Sequence, residues 1–155
     1  MMKIILILMV CLAAFLTSCD KGRVIDDNIA LSAQGWDKTY KADFEVSIDD
    51  TASNYRFFVN IRNTVDYRYS NLYIFLNTRF PNGNITRDTI ECLLADPSGK
   101  WLGRGISKMK ENQILLNASL RFPLKGVYRF EIEQAMREES LKGISDIGIR
   151  IQKAN

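Results

Sequence analysis

Histidine is absent from all 155 residues. That removes the Ser-His-Asp triad, the Cys-His pair and every histidine-based metal site, which need an imidazole as base or ligand. Cysteine is nearly absent too, with three in the chain, at positions 11, 19 and 92. Cys11 lies inside an apolar leader and Cys19 directly after it, so Cys92 is alone in the body of the chain and no intramolecular disulfide can form there. Long hydrophobic runs are missing: the longest, Ile4 to Leu16, falls short of the roughly 20 residues that a membrane-spanning helix requires. A strong charge of either sign is missing as well. Lys and Arg number 21 against 18 Asp and Glu, net +3, and removing the leader with its Lys3 lowers this by one. So even a balance, with basic residues scattered rather than striped, gives no footprint for nucleic acid.

What is present begins at the N-terminus. Met1-Met2-Lys3 supplies a positive start, Ile4 to Leu16 an apolar core of signal-peptide length, and Leu16-Thr17-Ser18-Cys19 a lipobox. Small residues at Thr17 and Ser18 directly before a cysteine are what the bacterial lipoprotein peptidase requires. The expectation is cleavage between Ser18 and Cys19 and acylation of Cys19 by a diacylglyceryl group and an N-acyl chain such as palmitate. One acyl chain holds weakly at about 0.8 kcal/mol per buried methylene, whereas several hold durably. The expected organisation is a signal peptide at 1–18, a lipid-anchored polar leader at 19–32 and one domain at 33–155, tethered to a membrane surface through its N-terminal lipid. A composition 46% hydrophobic and 25% charged suits one globular core.

Along that domain the dominant period is two, the mark of half-buried strands. Ala42, Phe44, Val46 and Ile48 alternate with polar residues, as do Tyr55, Phe57, Val59 and Ile61. Further runs are Ile114 to Phe122, Tyr128 to Ile132 and Ile147 to Ile151, with strands also expected over 72–80 and 85–94. Pro81-Asn82-Gly83 marks a hairpin, Asp96-Pro97-Ser98-Gly99 fits a type I turn, and Lys125-Gly126 marks a tight turn. Seven or eight such strands predict an all-β fold, an antiparallel β-sandwich of jelly-roll type. One short helical turn is expected between Gln134 and Leu141.

Candidate chemistry is sparse. Glu131 and Glu133 share a strand face and could pair as acid and base, but nothing in the pattern makes a pocket, and a solvated face is the better reading. Asp26-Asp27 and Asp49-Asp50 lack the ligand spacing of a calcium loop, so no metal and no cofactor are expected. Cys92 alternates with Ile90 and Leu94 and reads as a small core residue. The stretch from Arg62 to Asn71 is rich in tyrosine, arginine and asparagine. Rings supply contact area and polar tips supply hydrogen bonds, so Asn63, Tyr67, Tyr69 and Asn71, with Trp101 after the 96–99 turn, form the candidate interaction surface. The plainer reading is that these aromatics fold back over the edge of the core; if they are exposed, they suit a protein contact or, as the alternative, a glycan contact.

Three blocks, Arg62 to Gly83, Asp88 to Met109 and Arg121 to Ile151, together with the lipobox, resemble the gliding motility lipoprotein GldH family of the Bacteroidetes. Leu94-Ala95-Asp96 through Gly103 and Gln134-Ala135-Met136-Arg137 carry the most specific likeness, while Arg68 and Tyr73 stand where the family pattern has Pro and Trp. The resemblance implies a non-enzymatic lipoprotein of the cell envelope, expected at the outer membrane. It would be associated with gliding and, through genetic dependence, with the machinery that secretes adhesins. Other envelope or gliding and secretion proteins are the implied partners. The lipidated cysteine is the one functional residue that the resemblance carries over, and it falls on Cys19.

Overall fold

The computed structural model describes residues 22–154, and every named strand pairing within them is antiparallel. The signal peptide, the Ser18–Cys19 cleavage site and the lipidated cysteine lie outside the described residues. The strands are β1 (Arg23–Ala30), β2 (Trp36–Asp37), β3 (Ala42–Ile48), β4 (Tyr55–Thr64), β5 (Asn71–Arg79), β6 (Ile85–Leu93), β7 (Met109–Leu120), β8 (Gly126–Gln134), β9 (Ser140–Leu141) and β10 (Ile144–Lys153). They form two four-stranded sheets, β1-β10-β4-β7 and β3-β8-β5-β6, with β2 and β9 pairing apart. Apart from the β5–β6 hairpin, each step between the eight long strands crosses from one sheet to the other. That alternation is the jelly roll expected from the period-two pattern.

The core lies between the sheets. Val59, Ile61, Ile147, Ile149 and Ile151 of one sheet share a single buried cluster with Phe44, Val46, Ile74, Phe130 and Ile132 of the other. Phe57 on β4 and Phe130 on β8 meet across the gap at 5.1 Å between ring centroids. Alternation makes this possible, because a strand puts every second side chain on one face, and β3 runs buried and half-exposed or exposed by turns along its whole length.

Two expectations change. Residues 23–30, assigned from the sequence to a polar leader, are β1, paired in register with β10 from Asp26↔Arg150 to Ala30↔Asp146. Ile25 and Ile29 pack against the core, and the Asp26-Asp27-Asn28 run between them hid the strand. The domain therefore begins at β1, not at residue 33. Over 134–141 there is no helix. Gln134 ends β8, its side chain accepts from Met136 N at 2.8 Å and donates to the Glu138 carbonyl at 2.6 Å, and Ser140–Leu141 pair with β2. Eight residues gain little from helix propensity on their own, while Leu141 and Gln134 gain full burial in the bent conformation.

The topology also sorts the connections. Gly22 and the start of β1, the start of β4 and the ends of β7 and β10 fall at one end, with the connections 49–54, 80–84 and 121–125. The connections 31–41, 65–70, 94–108 and 135–143 fall at the other.

Candidate functional site

The candidate residues Asn63, Tyr67, Tyr69, Asn71 and Trp101 all sit at the end of the sandwich opposite Gly22, so the fold does bring them together. It does not present them as a bare surface. Tyr67 is buried, its ring 5.6 Å from that of Tyr69, and its hydroxyl donates to the Asn71 carbonyl at 2.9 Å. Burial pushes the Tyr67 hydroxyl well above the usual tyrosine range. The Tyr69 hydroxyl donates to Glu138 Oε1 at 2.6 Å, and Asn71 Nδ2 donates to Glu91 Oε1 at 2.6 Å. Asn63 is wholly buried; its Oδ1 accepts from Asn112 Nδ2 at 2.9 Å and its Nδ2 donates to the Thr64 carbonyl at 2.9 Å. Trp101 bridges to Ala95 and packs its half-buried ring on the core. These side chains act as braces. Their polar tips find partners inside the protein, as buried tyrosines and asparagines must.

The groups that do face solvent at this end are ones the sequence did not single out. Leu93 is 59% exposed, Leu102 56%, and Ile106 fully so at the tip of the 94–108 connection. At the same end Arg68, on the 65–70 connection, has its side chain 78% exposed and is ion-paired at 3.7 Å to Glu138. The signal for them was the connection's length, since long ordered loops in compact domains usually carry function.

On the outer face of the β3-β8-β5-β6 sheet, Glu133 is held by Asn77 Nδ2 at 2.6 Å, Arg87 Nη1 at 3.2 Å and Lys41 Nζ at 3.3 Å. Lys41 also reaches Glu131 at 3.5 Å. Partial burial alone would raise the Glu133 carboxyl, but these donors outweigh it and hold it below the ordinary glutamate range. A general acid needs the opposite shift, so Glu133 does not have the electrostatics of a glycosidase general acid. Cys92 is fully buried on β6, and burial, with Glu91 adding to it, pushes its thiol up to about 12. It is a packed core group without nucleophilic character at neutral pH. Among the described residues no cluster of three metal-ligating side chains occurs, and no helix is long and apolar enough to cross a membrane.

Two cavities remain. One, of about 530 Å³, opens between the edges β6 and β7, walled by Phe57, Leu76, Phe80, Phe122 and Phe130. The other, of about 590 Å³, lies at the β1-β10-β4-β7 sheet, where Asn28, Asn60, Arg62 and Gln113 meet Leu102 and Arg104 of the long connection.

Comparison with known proteins adds the relationships. A solved carbohydrate-binding module specific for non-crystalline cellulose superposes with a TM-score of 0.45 and 10% identity, over 84% of this chain and 74% of that one. In sequence, the "Gliding motility lipoprotein GldH homolog" of Christiangramia forsetii is 38% identical over 146 residues, 90% of this chain and 89% of that protein. The "Gliding motility lipoprotein GldH" of Flavobacterium johnsoniae is 34% identical over 148 residues, covering 91% of each chain. The model of the GldH lipoprotein family matches residues 23–151, from the first residue of β1 to near the end of β10. With the whole sandwich matched in this way, the chain belongs to the GldH lipoprotein family.

Proposed function

We propose that this protein is a non-enzymatic envelope component, held to the outer membrane by lipid on Cys19, that contacts gliding or secretion machinery through the end of the sandwich remote from the lipid. The observation that carries the reading is the opposition of the two ends. Gly22 enters β1 at one end, and the long connections with Leu93, Leu102 and Ile106 project at the other. Membership of a lipoprotein family supports a membrane-anchored location, and the names of the relatives support a link to gliding. Anchoring confines the domain to a surface and raises its effective concentration near membrane partners, which allows a modest contact area to suffice. Exposed apolar groups at the same end as the exposed Arg68, Arg104 and Lys108 have the composition of a protein contact, which mixes apolar and polar groups.

The test places a photo-crosslinking residue at Ile106 in the full-length protein and irradiates intact envelopes. The expected result is a crosslink to a membrane protein, lost when Leu93 and Leu102 are changed to serine with the crosslinking residue kept at position 106. Recovery of free monomer alone would overturn the assembly role. A deletion strain that spreads and secretes large proteins normally would overturn the link to motility and secretion.

A further inference from the structure

Register places four residues in one row across the outer face of the β1-β10-β4-β7 sheet: Asn28 pairs with Gly148, Gly148 with Asn60, and Asn60 with Gln113. Three amides from three strands thus lie in one row, Asn60 and Gln113 on adjacent strands about 4.8 Å apart and Asn28 two strands from Asn60, across Gly148. The glycine makes room for the first of them. A Cβ on Gly148 would collide with Asn28 Oδ1 and the Asp27 carbonyl. Asn60 is fixed from both sides, accepting from Gln113 Nε2 at 3.1 Å and donating to Asp26 Oδ1 at 3.0 Å, and Asp26 is itself held by Arg150 at 2.7 Å. The amide of Asn28 and the Oε1 of Gln113 have no hydrogen-bond partner among the described residues.

The neighbouring row is ionic and self-neutralising. Asp146, Arg62 and Glu111 lie in register, and Arg104 continues the row by bridging to Glu111. Arg62 pairs with Glu111 at 3.0 Å and Asp146 at 3.5 Å. Two cations and two anions leave no surplus charge. Leu93 and Leu102 stand exposed at the wall of the same 590 Å³ cavity.

We infer that this groove binds an uncharged oligosaccharide, laid across the Asn28, Asn60 and Gln113 amides and against Leu102. Each primary amide both donates and accepts, as each sugar hydroxyl does, so a row of amides matches a row of hydroxyls without selecting charge. An anionic ligand would need a net positive floor, and Arg62 is already committed to two carboxylates. An added peptide strand would need free backbone groups, which the outer face of a paired sheet does not offer. A fully apolar ligand would leave the Asn28 amide and Gln113 Oε1 cut off from water and unpaired, at a cost of about 1–3 kcal/mol each. The leucine wall suits the C–H face of a sugar ring. The Asn60 and Gln113 amides are held in place before binding, so little side-chain ordering of these two opposes association.

The test uses the full-length lipidated protein in nanodiscs, probed with uncharged glucose, mannose and galactose oligomers, acidic polysaccharides and extended peptides. The expected result is binding of at least one neutral oligomer that is unchanged by added salt and weakened about tenfold or more in Asn60→Ala/Gln113→Ala. Leu102→Ser, on an exposed loop residue, serves as a second variant should the double change disturb folding, and Glu45→Ala on the other sheet should leave binding intact. Absence of binding to every neutral oligomer, binding that survives both groove variants, or selective retention of acidic polysaccharide or peptide would each overturn the assignment. The two readings share Leu93 and Leu102 but fail separately, since the Ile106 crosslink reports on the assembly role, and the Asn60→Ala/Gln113→Ala variant on the sugar, each without the other.

Discussion

At the scale of single residues, the polar groups that look most reactive are committed to holding the fold. Glu133 shows what this means for acid stability. Its folded pKa lies below the ordinary value of 4.5 because Asn77, Arg87 and Lys41 favour the charged form. A depressed carboxyl contributes stability that is present above the unfolded pKa and lost as pH falls through the folded one. Asp50, held far below the usual carboxylate range by Lys153 and Ser53, adds to the same limb. Thermal stability should therefore be level from neutral pH down to about pH 5 and decline below that, with a shallower decline in Glu133→Gln. Scanning calorimetry from pH 7 to pH 3 checks this, and an identical acid limb in wild type and variant would refute the role of Glu133. Cys92 gives a second prediction. Its thiol, raised to about 12 and wholly buried, should resist a maleimide in the native protein and react promptly in denaturant. Fast native labelling, followed by mass spectrometry, would show that β6 opens.

Strands and connections differ in how firmly they are held. β10 lies between β1 and β4 and is buried or half-buried at nine of its ten positions, all but Lys153. β6 pairs with β5 alone and is exposed along most of both faces. Amide hydrogen exchange should be fastest along 85–91 and slowest along 147–151, because local opening is easiest where few contacts are lost. Uniform protection of the two strands would contradict this. β1 makes the complementary prediction: removing 22–30 strips the partner from β10 and uncovers Ile147 and Ile149, so the truncated domain should aggregate. A soluble, cooperatively melting truncation would return those residues to the status of a leader. The central strands were legible in the sequence because half-burial imposes period two, as in β3 and β8. β1 was not, because its outward and rim positions are Asp26, Asp27 and Asn28, and their partners Arg150 and Gly148 lie more than a hundred residues away. The solvent-facing groups at the far end were not legible in the sequence for a related reason. Composition identifies tyrosine and asparagine in a loop, but only the fold decides that Tyr67 turns inward to Asn71 and leaves Leu102 and Ile106 outside. The amide row was equally hidden, since strand register alone aligns Asn28, Asn60 and Gln113.

For the whole molecule, the position of β1 turns a lipid anchor into an orientation. Three residues, Asp20, Lys21 and Gly22, separate Cys19 from Arg23. At about 3.5 Å per extended residue they reach only about 10 Å, so with lipid on Cys19 the Gly22 end must stay close to the headgroups. The strands run away from that end for roughly 30 Å, the length of a ten-residue strand, and carry Ile106 well beyond the Debye length of about 8–10 Å over which lipid charge is felt. A lipid-soluble photolabel should therefore mark Asn82, in the hairpin at the near end, and spare Ile106. Cys19→Ala, exported behind a conventional cleavable signal peptide in place of residues 1–18, should release a folded domain from the membrane fraction, with an unchanged melting curve, because β1 and the core lie beyond the tether. If Cys19→Ala stays membrane-bound, protein contacts and not lipid hold it there. If the photolabel marks Ile106 in preference to Asn82, the sandwich lies inverted, and the long connections are membrane contacts in place of partner contacts.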